Sequence, residues 1–178
     1  PILKHLKERQ GESTRENTLK SFGGAGENTA YTATTSYFNP KLCKIIYSSY
    51  CPKNGTIFDP FSSVVRPYMA KILDYNYVGC EVRKDECDKI NEMLNTNSLF
   101  EESDVRVLNM DCREFETDQK FDLVFTCPPY WNLETYSEQD NDLSSITDYY
   151  DFLTEMSKVY SKCLSIMPVS YTHLRAHE

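Results

Sequence analysis

The 178-residue sequence has no run of 18 or more apolar residues, which excludes an ordinary membrane-spanning helix. No basic start leads into an apolar stretch, so no signal peptide is visible, and a cytoplasmic location with reduced thiols is expected. Seven cysteines, an odd number with no C-x-x-C pair, speak against a disulfide framework and against a zinc knuckle. Histidine is scarce. Two of the three histidines, His173 and His177, lie in the last ten residues, VSYTHLRAHE. That stretch is what transposon-end and adapter DNA from sequencing-library preparation encodes, and residues 169–178 are read as a non-native tail. Only His5 then remains, in a polar stretch, which argues against Ser-His-Asp triads, histidine general bases and His-ligated metals; no metal is expected. Lys and Arg (19) are outnumbered by Asp and Glu (27), a net charge of −8, so the chain as a whole does not attract nucleic acid. Any such role must rest on a local site or on parts beyond this sequence. The chain begins at Pro1, and the expectation is a reading frame that starts earlier and was cut off near Met167.

What is present is an alternating α/β pattern behind a polar arm. Residues 1–35, with GGAG at 23–26, read as a flexible N-terminal arm, and residues 36–168 as one domain. The segment NPKLCKIIYSSYC carries Leu42, Ile45 and Ile46 at helical spacing, with Pro40 suited to a first turn. TIFDP is a short buried strand ending at Asp59, followed by a helix over roughly 64–75 and the strand YVGCEV at 77–82. KDECDKINEMLNTN is an amphipathic helix with Cys87, Ile90 and Leu94 on one face. VRVLNMD (105–111) and DLVFTC (122–127) are further strands, and a last helix opens near Thr147 with Phe152, Met156 and Val159 inward. Such alternation predicts βαβ units and a mostly parallel sheet.

In open α/β sheets, ligands bind beyond the carboxyl ends of the strands, near the switch in strand order. Here those ends read FDPFSS, GCEV, NMDC and TCPPYW. Three carry a carboxylate, and the fourth a rigid Pro-Pro-aromatic turn. Glu81 lies 22 positions after Asp59, near the spacing at which an acid meets a ribose in nucleotide-binding folds. A carboxylate suits that task because it accepts from two hydroxyls at once. At TCPPYW neither proline donates to a ladder, so the strand must stop there. The backbone carbonyls are left free to accept from an exocyclic amine, and Tyr130 can stack on the ring that bears it. Arg66 is either a solvated helix-start residue or a partner for a ligand carboxylate. Trp131 and Tyr136 either contact a flipped base or pack beneath a loop. DNDLSS reads as an acidic loop with a Ser or Thr cap nearby.

FDPF, GCEV, NMD and CPPYWNLETYS resemble the amino-directed DNA methyltransferases that make N6-methyladenine or N4-methylcytosine, most closely phage-encoded and partition-associated members. The resemblance covers about residues 31–160. It implies a Rossmann-like S-adenosylmethionine-dependent methyltransferase fold, truncated before its last strands, with the first and fourth strands side by side and the fourth a bare edge. By resemblance, Asp59, Phe61 and Ser62 belong to the S-adenosylmethionine pocket, Glu81 holds the cofactor ribose, and Asp111 the adenine amine. Cys127, Pro128, Pro129 and Tyr130 stand where the family has Ser, Asp or Asn, then Pro-Pro and an aromatic. The implied partner is double-stranded DNA with a flipped target base. Hydrogen bonds from the target amine to position 127 and the Pro128 carbonyl localise its lone pair for direct methyl transfer. Restriction-modification is one setting for such an enzyme.

The chain departs from that pattern twice. Relatives usually have glycines after DPF, where this chain has Ser62, Ser63, Val64 and Val65, and a β-branched residue there obstructs close backbone approach. Cys127 accepts hydrogen bonds less well than Ser or Asp, which leaves the choice of adenine or cytosine open. A C5-cytosine nucleophile would follow the proline, whereas Cys127 precedes two. The alternatives are an RNA or protein amine methyltransferase with the same turn, and a non-catalytic relic acting as a binding module.

Overall fold

The computed structural model describes residues 38–96, 103–131, 136, 137, 139 and 141–168, all within the compact unit that begins after residue 36. The expected arm and tail lie outside the described residues. In chain order the elements are α1 (Pro40–Tyr50), β1 (Thr56–Asp59), α2 (Val65–Ile72), β2 (Asn76–Glu81), α3 (Lys84–Thr96), β3 (Val105–Asn109), β4 (Leu123–Val124) and α4 (Tyr149–Ile166). The four strands form one parallel sheet in the order β3-β2-β1-β4, so the first and fourth strands are neighbours and β4 is an edge among the described residues. β3 and β4 stop short of their sequence patterns, at Asn109 and Val124: in DLVFTC the Phe125 amide still donates to the Phe58 carbonyl at 3.0 Å, and pairing ends as the partner strand β1 ends.

Alternation along each strand feeds two cores. Ile57, Tyr77, Val107 and Leu123 face a cluster with Cys43 and Tyr47 of α1, Ala70 of α2 and Cys87, Ile90 and Leu94 of α3. Phe58, Val78 and Cys80 face a second cluster with Phe121, just before β4, and Phe152, Met156, Val159, Cys163 and Ile166 of α4. Each large apolar side chain so buried contributes about 1.5–3 kcal/mol, so α4 is held by packing far more than by helix propensity.

The expected helix α1 forms with Cys43 and Tyr47, one turn apart, buried and Ile46 packed against the first core, whereas Leu42 and Ile45 are exposed. One local expectation is corrected. The cap of α4 is Asp148, whose carboxylate accepts from the amides of Tyr150 and Asp151, rather than a serine or threonine. Asp142 in the acidic loop caps a short 3-10 turn at Leu143–Ser145. Among the described residues no helix is long and apolar enough to cross a membrane.

Candidate active site

Parallel pairing places the four strand ends on one edge of the sheet, with Asp59 opposite Gly79 and Glu81 opposite Asn109. β1 lies between β2, on the β3 side, and β4, so the strand order switches between β1 and β4. The segments that follow those two strands carry the DPFSS and TCPPYW motifs.

Asp59 is fully buried, with its carboxylate turned into the protein. Oδ1 accepts from the Phe61 amide at 3.1 Å, and Oδ2 accepts from Arg66 Nε at 2.5 Å and the Tyr77 hydroxyl at 2.6 Å. Arg66 is therefore neither solvated nor open to a ligand: it is 2% exposed, with its guanidinium 5.2 Å from the Phe38 ring centre. Burial and the Asp59 charge push the Tyr77 phenol well up, so it stays protonated and donates. Since its one hydrogen goes to Asp59, the Ser62 hydroxyl must donate to the Tyr77 oxygen across their 3.1 Å contact. Phe61 is half-buried and packs against the second core, and Ser62 is buried. This chain of bonds crosses Gly79, where an added Cβ would fall 2.7 Å from Ser62 Cβ and 2.8 Å from Tyr77 Cε1. Glycine is required there by close approach.

At the end of β2 the Glu81 carboxylate is mostly buried, and burial raises its pKa against the opposing pull of Arg83. Its Oε1 accepts from the Arg83 amide at 2.9 Å and the Arg83 guanidinium at 3.4 Å, while Oε2 accepts nothing among the described residues. The Asn109 amide donates to the carbonyls of Glu81 and Val82 and so braces the turn that carries Glu81. Asp111 is buried and closed off more fully. Its two oxygens take the Arg113 amide and three bonds from the Arg113 guanidinium, which also reaches Glu155 on α4. In this arrangement Asp111 has little accepting capacity left for a ligand amine.

Beyond β4, Cys127, Pro128 and Pro129 are half-buried, and Tyr130 is 54% exposed. Trp131 packs on Tyr149 at the start of α4, with ring centres 5.0 Å apart. Tyr136 lies under the Arg83 guanidinium at 6.0 Å and takes a bond from its backbone amide to Ser144. Four buried side-chain polar atoms have no partner among the described residues, and three of them (Ser63 Oγ, Thr126 Oγ1 and Trp131 Nε1) fall in the segments leaving β1 and β4. An unpaired buried group costs about 1–3 kcal/mol, so their concentration at the strand switch suits a polar ligand. Helix α2 also starts without a side-chain cap, at Val64, beside Ser63.

The structure resembles that of an rRNA methylase from Streptococcus thermophilus, with a TM-score of 0.50 at 9% identity over 76% of this chain and 68% of that one. TrmN from Thermus thermophilus matches with a TM-score of 0.53 at 14% identity, over 76% of this chain and 37% of that one. The fold is that of a Rossmann-like methyltransferase. No family model matches the sequence, and no curated protein matches it. The sequence motifs lie at the carboxyl ends of the parallel strands, the edge at which open α/β sheets bind ligands. The sequence reading did not find Tyr77, Asn109 or Arg113. An aromatic inside a strand and an arginine two residues after an acid have no distinctive spacing; the Cβ-free position at Gly79 is the one signal that could have pointed to Tyr77.

Proposed function

We propose that the chain transfers a methyl group from S-adenosylmethionine to the exocyclic amine of an adenine or cytosine flipped out of duplex DNA. The observation that carries this reading is the Cys127–Tyr130 turn, which leaves β4 beside β1 with an exposed aromatic after two prolines. S-adenosylmethionine, when bound, supplies an electrophilic methyl carried on a sulfonium. Glu81, whose Oε2 accepts nothing among the described residues, suits the ribose hydroxyls, and Ser63 with the uncapped start of α2 suits the polar methionine end. The Pro128 carbonyl and position 127 accept the amine hydrogens and draw its lone pair out of conjugation with the ring. Tyr130 stacks on the extruded base and recovers part of the few kcal/mol that unstacking costs. Holding amine and methyl donor together supplies much of the rate. Asp111 serves an adenine amine of the cofactor only if Arg113 shares or releases it.

RNA is the second reading, favoured by the likeness to an rRNA methylase. Nucleoside mass spectrometry on DNA and RNA from cells expressing the protein, in a host lacking the mark, separates the two. N6-methyladenine or N4-methylcytosine in DNA, absent with Tyr130→Ala, supports the first; a mark in RNA alone supports the second. No new nucleoside, with folded protein present, overturns both. Independently, Glu81→Ala is expected to weaken S-adenosylmethionine binding by about 1.5–3 kcal/mol, the size of a hydrogen bond to a charged group. An unchanged Kd in calorimetry would remove Glu81 from the site.

A further inference from the structure

A fully buried acid, a buried arginine and a buried tyrosine meet behind the turn after β1; the resemblance places Asp59 in the cofactor pocket, but its carboxylate faces inward with both oxygens taken by internal donors. Their bonds converge on the backbone of that turn. The Phe61 amide donates to Asp59 Oδ1, and the Phe61 carbonyl accepts from Arg66 Nη2. The Ser62 amide donates to the Cys80 carbonyl at 2.8 Å, and the Ser62 hydroxyl is held by Tyr77. Both backbone groups of Phe61 and the amide of Ser62 are thus fixed before the chain reaches Ser63, whose hydroxyl has no partner among the described residues, and the uncapped start of α2. Tyr47 of α1 adds a bond from its hydroxyl to the Arg66 carbonyl at 3.2 Å.

We propose that Asp59, Arg66 and Tyr77 are positioning residues that hold the turn at Pro60–Ser63 in the conformation that receives S-adenosylmethionine, without touching it. The proposal rests on the methyltransferase reading. Serines and valines follow Phe61 with no glycine in the turn, and shape is imposed from beneath by side chains. Net stability is a poor reason to keep such a group, because a buried ion pair roughly breaks even against well-packed apolar residues of similar volume. A fixed turn geometry is a sufficient one, since the guanidinium addresses the Asp59 carboxylate and the Phe61 carbonyl together.

Two variants test this by separating fold from binding. Tyr77→Phe keeps the ring over Gly79 and removes only the hydroxyl that joins Ser62 to Asp59. The double variant Asp59→Leu/Arg66→Met replaces the pair by apolar groups. Urea unfolding and calorimetric titration with S-adenosylmethionine are measured on each, with KM and kcat for methyl transfer. Tyr77→Phe is expected to stay folded and to raise the cofactor Kd roughly 10-fold, and the double variant to raise it roughly 100-fold, on the scale of hydrogen bonds to charged groups. The loss should fall on KM for S-adenosylmethionine while kcat at saturation holds. Arg66→Lys, with one compact donor for two acceptors, should not rescue the Kd. If Tyr77→Phe binds as the unaltered protein does, the positioning role is overturned, whatever the double variant does. If the unaltered protein itself binds no S-adenosylmethionine, the methyltransferase reading falls and the proposal falls with it.

Discussion

Arg66→Ala is expected to destabilise the fold by about 3–5 kcal/mol, the cost of leaving a buried charge without its partner. The reasoning is asymmetric. The pair as a whole adds little net stability, but Asp59 is fully buried and cannot recover water once the guanidinium is gone. Tyr77 and the Phe61 amide still donate to it, which softens the loss without neutralising the charge. Phe38 also loses the cation over its ring, so the α1 side of the core loosens as well. Urea unfolding checks this. A loss below about 1 kcal/mol would mean that water or a rearranged side chain takes the place of the guanidinium, and the pair would be no structural anchor.

The second large effect is on turnover. Tyr130→Ala should lower kcat roughly 5- to 150-fold, the equivalent of about 1–3 kcal/mol of base stacking, while the Kd for S-adenosylmethionine stays where it was. At 54% exposed and outside both buried clusters, Tyr130 is placed for stacking more than for core packing. Parallel loss of cofactor affinity or of unfolding free energy would mark Tyr130 as a packing residue instead. Tyr130→Phe keeps the ring face and should retain most of the turnover.

Element types were legible because the periodicities are clean. Cys87, Ile90 and Leu94 share a helix face, and all three are buried; Phe152, Met156 and Val159 behave likewise. The end of β1 was legible because Asp59 marks it, and that of β2 to within a residue of Glu81, but β3 stops at Asn109 and β4 at Val124, before the carboxylate and the Pro-Pro step that follow them. Partners across elements were not legible. That Arg66 turns inward to Asp59 depends on where α2 lands on β1, and no local pattern records that. The capture of Asp111 by Arg113 is equally silent, since an arginine two residues after an acid is usually solvated. Helix α1 shows the same limit: Leu42 and Ile45 are the more hydrophobic choice by composition, yet Cys43 and Tyr47 are buried because they fit beside Tyr75 and Phe125. Hydrophobicity states how much surface a helix can bury, and shape complementarity selects which face it does bury.

The seven thiols divide unevenly. Six are buried in the two cores, and burial pushes Cys43 up to about 11 and Cys51, Cys112 and Cys163 to about 12, so none is a ready nucleophile at neutral pH. Cys127 alone is half-exposed, in the turn that would meet the target base. A thiol-directed alkylating reagent applied to the native protein would therefore modify Cys127 before any other cysteine. Occupancy by a base could then be followed as protection of one sulfur, with no engineered label and no turnover.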